Sequence, residues 1–271
     1  MMNIYLPLLL ILSFSFCDAQ QLSDKFQYKA TYQLTWQIDS TNAESVQSEK
    51  MVLFIGDGIS RFSSLILLKA DSLSAERKKN FKKTGRFMSP PQTKFDYRIF
   101  KNFNTSKIYF LERVFKDEFK YAEELPVQEW EIHSETKEIS GYNVQKATTS
   151  FAGRDYVAWF TSEISISDGP YKFSGLPGLI VEISDAENYY TFNLIGFREL
   201  ETPVSVTIDK GKYLLVSKEE FLVAKENYSR DPLGALSKAG VTIGWSKERE
   251  KEAKKELKEN YKSRNNPIEL E

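Results

Sequence analysis

The chain has 271 residues, 37 of them basic and 38 acidic, for a formal charge of −1, and 14% are aromatic. Charge so evenly balanced argues against strong electrostatic capture of nucleic acid or of an anionic membrane, so neither partner is implied. A single cysteine, Cys17, and a single histidine, His133, exclude a disulfide framework and zinc centres rich in either residue, and leave any Ser-His-Asp triad dependent on one side chain.

In chain order, Ile4 to Phe16 is an apolar run of signal-peptide length, followed by the small-residue stretch Cys17-Asp18-Ala19. It predicts a signal peptide over residues 1–19 and a β-rich domain over 20–271. The mature protein is then exported to the periplasm, to the outer membrane or beyond the cell. Bulky Phe16 before Cys17 argues against lipidation. The run is too short for the roughly 20 apolar residues a membrane crossing needs, and no later segment is longer, so the mature chain carries no transmembrane segment.

Next comes strict alternation: Phe26, Tyr28, Ala30, Tyr32, Leu34, Trp36 and Ile38 against polar residues between them. Period two predicts a strand with one face buried, and at about 3.3 Å per residue it reaches roughly 40 Å. Further strands are predicted at Met51–Ile55, Leu65–Leu68, Phe95–Phe103, Lys107–Phe115, Phe119–Glu123, Trp130–Ser134, Tyr142–Phe151, Asp155–Thr161, Leu179–Ser184, Tyr189–Phe197 and Val204–Ile208. Helices are predicted at Ser72–Thr84, at Lys218–Tyr228 behind the capping-box pair Ser217 and Glu220, and at Lys247–Ser263, a charged C-terminal helix with a narrow apolar stripe. Short strands bounded by turn residues describe a mainly β (α+β) protein: a long-stranded, curved antiparallel or barrel-like sheet with a few peripheral helices.

The segment Asp168 to Asp185 sets two Gly-Pro or Pro-Gly junctions before an apolar run. Pro177 and Gly178 have the chemistry of a type II turn, and Asp168-Gly169-Pro170 makes a similar turn upstream. A phosphate-cradling loop needs a helix and a Lys-Ser or Lys-Thr pair after its glycines, and neither follows. These residues therefore read as shapers of the backbone, leaving Tyr171, Lys172 and Phe173 for a partner to meet. His133 shares its strand face with Glu131 and reads as solvated, with no Gly-x-Ser-x-Gly elbow beside it. The carboxylate pairs Glu123 with Glu124 and Glu182 with Asp185 are the candidates for hydrolysis. No metal or cofactor motif occurs.

At "SGLPGLIVEI" the chain resembles the GLPGLI family of exported Bacteroidetes proteins, which has no established activity. The likeness runs through Trp130 to Ile180 and includes the closing "NNPIEL", Asn265 to Leu270. Val144 departs from it, where many members carry a cysteine. The resemblance maps the motif onto Gly169, Pro170, Gly175, Leu176, Pro177, Gly178, Leu179 and Ile180, with Gly141, Tyr142, Lys146, Ala147, Gly153, Arg154, Trp159 and Phe160 upstream. Lys146 and Arg154 are the charged exceptions among them, so the binding candidates are Lys146, Arg154, Trp159, Tyr171, Lys172 and Phe173. The expected activity is non-enzymatic binding of an apolar ligand or an outer-membrane partner in or around an aromatic sheet interior. The rival is a carboxylate-dependent hydrolase of envelope polymers.

Overall fold

A computed structural model describes residues 24–85, 89, 91–206 and 213–270; the expected signal peptide lies outside them. The strands are β1 (Asp24–Gln37), β2 (Val46–Gly56), β3 (Ile59–Ser64), β4 (Tyr97–Asn102), β5 (Lys107–Val114), β6 (Asp117–Glu124), β7 (Glu131–Ile139), β8 (Tyr142–Phe151), β9 (Arg154–Thr161), β10 (Leu179–Asp185), β11 (Tyr190–Val206) and β12 (Leu214–Leu215). The helices are α1 (Leu65–Ser72), α2 (Ser74–Thr84), α3 (Lys218–Arg230), α4 (Pro232–Lys238) and α5 (Lys247–Lys262). Among the described residues the strands form one sheet ordered β12-β6-β5-β4-β3-β2-β1-β11-β10-β9-β8-β7, antiparallel except where β12 runs parallel to β6. The sheet is mainly β architecture that does not close into a barrel.

That order forces curvature. Strands β6 and β7 are consecutive in sequence yet stand ten places apart in the sheet. Laid flat they would be about 48 Å apart at about 4.8 Å per strand, whereas the short connector Leu125–Trp130 spans at most about 25 Å. The sheet must curl until its two margins face each other. Ring contacts across the curl agree: Phe62 on β3 and Phe192 on β11, three places apart, have centroids 6.0 Å apart.

The predicted alternation along β1 holds: Ala30, Tyr32, Leu34 and Trp36 all face the concave core. A bulge between Phe26 and Tyr28 shifts the register on both neighbours, and Phe26 turns to the convex face. There it packs with Val52, Phe54, Ile59, Phe100 and Leu111 beneath α1.

Four expectations needed correction. Leu65–Leu68 is not a strand but the first turn of α1, because the Ser64 hydroxyl accepts from the amides of Ile66 and Leu67 and starts a helix. Strand β3 was missed because its polar residues, Ser60, Arg61, Ser63 and Ser64, are buried and erase the alternation. The strands expected at Tyr189–Phe197 and Val204–Ile208 join into β11 as far as Val206. Helix α4, begun by Pro232 behind the Asp231 cap, was also missed.

Candidate functional site

The concave hollow is filled by the chain itself. The segment between β9 and β10 folds inward, burying Tyr171, Phe173 and Leu176 against the aromatic interior. The Gly178 amide donates to Leu176 O at 2.8 Å, so Leu176-Pro177-Gly178 is a γ-turn and not the expected type II turn. Glycine is needed at 178 for two reasons: its φ is +155°, and a Cβ there would lie 2.6 Å from the Thr161 carbonyl carbon. The next amides, of Leu179 and Ile180, go to Ile164 O and Asp168 O. With these amides spent internally, the loop shapes backbone and does not cradle an anion.

A buried lysine staples this loop to the sheet. Lys101 on β4 is 0% exposed, pairs with the Asp168 carboxylate, and donates to Gly169 O at 2.7 Å and Phe173 O at 3.0 Å. These acceptors use all three ammonium protons. Burial pushes the Lys101 pKa down, and Asp168 pulls against it. Asp168 Oδ1 also accepts from the Gly169 amide at 2.7 Å, while Oδ2 is buried with no hydrogen-bond partner among the described residues.

Three of the predicted binding residues, Arg154, Tyr171 and Lys172, hold the C-terminal tail. Arg154 meets Asp185 at 2.9 Å with both side chains buried, and donates to Asn266 Oδ1 and Pro267 O, each at 2.6 Å. Burial raises the Asp185 pKa, opposed by the Tyr190 amide and Arg154. Lys172, 2% exposed, pairs with Glu123 and, at 2.7 Å, with Glu269, which also accepts from Tyr171 Oη at 2.7 Å and from Lys218 at 3.2 Å. Burial favours the neutral form of Glu269, but Lys172, Tyr171 and Lys218 together hold its pKa below the usual carboxylate value. Tyr171 takes a φ of +55°, strained for a bulky side chain, to make this contact. The string "NNPIEL" is thus the peptide that Arg154, Tyr171 and Lys172 grip.

The other candidates lie elsewhere. Lys146 and Trp159 stand opposite each other on β8 and β9, on the outward face; Lys146 pairs with Glu135 at 2.8 Å, and Lys137 sits 4.0 Å over the Trp159 ring. Phe173 is fully buried core. His133 meets the Thr148 hydroxyl at 2.8 Å. The proposed acid pairs do not converge: Glu123 is bound to lysines, and Glu182 faces Lys137 at 3.3 Å while Asp185 is buried with Arg154.

Two clefts open near these elements. One, about 590 Å³, is walled by polar groups including Glu129, Glu131 and Asp155, the last already accepting from Ser150 Oγ at 2.5 Å. The other, about 500 Å³, lies at the end of the curl, where the β2–β3 turn at Gly56 and Gly58, the end of β4, the β6–β7 connector and the Ile166–Asp168 loop meet. Ile55, Phe103, Leu125, Pro126, Val127 and Ile166 give it an apolar wall, and Asp168 belongs to its lining. Val127 is 91% exposed, an apolar side chain held at the rim with nothing over it. Sequence reasoning named neither Lys101 nor this cleft; the one signal was a lysine inside the apolar stretch of β4.

Residues 152–182 match the model of a family described as a protein of unknown function (Porph_ging). That span holds the Arg154 clasp, Asp168 and the whole inward loop. No curated protein matches. Among solved structures, the chain is similar to PNGF-II in a P21 crystal form at 15% identity and a TM-score of 0.50, over 74% of this chain and 33% of that one. A C2 form of PNGF-II gives 16% identity, a TM-score of 0.49, and 74% and 32% coverage. Likeness at this identity concerns the fold alone, and the chain spans about a third of the PNGF-II chain's length.

Proposed function

We propose that this chain is an exported cell-envelope protein of the GLPGLI type that binds an apolar ligand in the cleft at the end of its curled sheet. The cleft is the observation that carries the reading: about 500 Å³ falls in the range of small-molecule sites, roughly 300–1,000 Å³, and its wall is mainly apolar with a few polar groups at one end. The hollow imagined inside the sheet is taken by the loop and the tail, so the ligand sits at the mouth and not in the interior. Rigid strand ends and turns frame the cleft, which favours a preformed site. The hydrolase alternative needs two acids facing each other across a cleft; here Glu112 is tied to Lys225 at 2.8 Å and Asp185 to Arg154, and buried Glu49 is held by the Ser64 and Thr93 hydroxyls.

The family match over residues 152–182 supports kinship with a group of unknown function. Export to the periplasm or outer membrane of a Bacteroidetes cell rests on the leader-like first 19 residues and on the motif. Native mass spectrometry of the protein purified from its own envelope tests the reading. A retained apolar molecule, lost on Ile166→Trp, is the expected result. A bare chain contradicts it, and a stoichiometric outer-membrane protein in place of a small molecule transfers the reading to the interaction role.

A further inference from the structure

The cleft's wall is apolar, but its polar end is unfinished. Asp168, 2% exposed, belongs to the lining, and its Oδ2 has no donor among the described residues. Ser60, opposite Lys101 in the β3–β4 register and beside the cleft residue Ile55 in the β2–β3 register, likewise keeps a buried hydroxyl unmatched. Buried carboxylate oxygens are almost always matched, so an orphan beside an open cleft marks where a donor from outside belongs.

The sign of that donor follows from the charges already present. Lys101 neutralises Asp168 through a direct ion pair, and the cleft wall holds no other charged side chain. An ammonium added here would leave a buried positive charge uncompensated, and a carboxylate would repel Asp168, so a neutral donor fits best. We propose that the cleft recognises a neutral, mainly apolar molecule bearing a hydroxyl, which donates to Asp168 Oδ2 while its hydrocarbon lies against Phe103, Leu125 and Ile166. This rests on the cleft being the binding site.

Four probes of one chain length separate the two ideas: 1-octanol, octyl methyl ether, octylammonium and octanoate, titrated into the full mature chain while the backbone amides are followed by NMR. The expected result is that octanol shifts the amides of Gly56, Gly58 and Ser167 and binds about five- to tenfold more tightly than the ether, which keeps the apolar body and loses the donor. Both ions bind more weakly than octanol. Ether and alcohol binding equally, as when only a water satisfies Oδ2, or octylammonium binding best, overturns the hydroxyl assignment and leaves the apolar cleft standing. No response at those amides to any of the four overturns the cleft reading itself. Because Asp168→Asn risks the fold, Ile166→Trp is the protein-side control: it should remove octanol binding with unchanged thermal melting, and retained binding places the site elsewhere.

Discussion

At Gly178 a methyl group would press into the Thr161 carbonyl, and the backbone φ of +155° is one that side chains with a Cβ avoid. Gly178→Ala should therefore lower stability by about 2–4 kcal/mol, read from chemical denaturation; an unchanged midpoint contradicts the close approach. Arg154 makes a different kind of demand. Its guanidinium compensates a fully buried Asp185 and holds Asn266 and Pro267. Arg154→Met leaves that carboxylate unpaired, and breaking a buried pair costs roughly 3–5 kcal/mol, so it should unfold much more readily. If Arg154→Met melts like the parent chain, the tail clasp is not the role of this residue. The sequence marked Arg154 as a charge needing a partner among aromatic strands, but the partner lies 31 residues on and the tail 112 residues on, separations that no local pattern encodes.

Elements were legible where burial is one-sided. Strand β1 shows its alternation openly, and β8 begins and ends where composition places it, because each presents one face to water. Legibility failed where tertiary packing overrides local pattern: β3 is buried on both faces yet built largely of serine, and α1 begins with four apolar residues that suit either state. The capping box of α3 was readable, Ser217 and Glu220 exchanging the expected backbone bonds at 3.1 and 2.8 Å. What α3 docks on was not. Its one fully buried side chain, Phe221, packs among Phe110, Phe119 and Tyr121, with ring centroids 5.7, 6.0 and 5.3 Å away. Phe221→Ala should cost about 3–5 kcal/mol, while Ser217→Ala costs only about 1 kcal/mol; equal losses contradict the view that docking dominates the helix's contribution.

Taken whole, the molecule is a curled sheet whose hollow is closed by one internal loop and one terminal peptide, each fixed by buried charge pairs. Such pairs make stability depend on pH. The folded-state pKa of Glu269 lies below its ordinary value of 4.5, so its contribution is complete above that value and is lost as pH falls through the folded value. The parent chain should therefore exceed Glu269→Gln in stability at neutral pH, with the gap closing as pH falls below the ordinary carboxylate value of 4.5. A gap that widens in acid contradicts the pairing with Lys172 and Lys218. The sequence showed that proline and glycine shape this region; that the region turns inward and fills the hollow depends on the curl of the entire sheet. Amide hydrogen exchange measures that claim directly. The amides of Phe173, Gly178, Leu179 and Ile180 should exchange as slowly as those of β1 and β11; fast exchange there beside a protected β1 would mean that the loop does not fill the hollow.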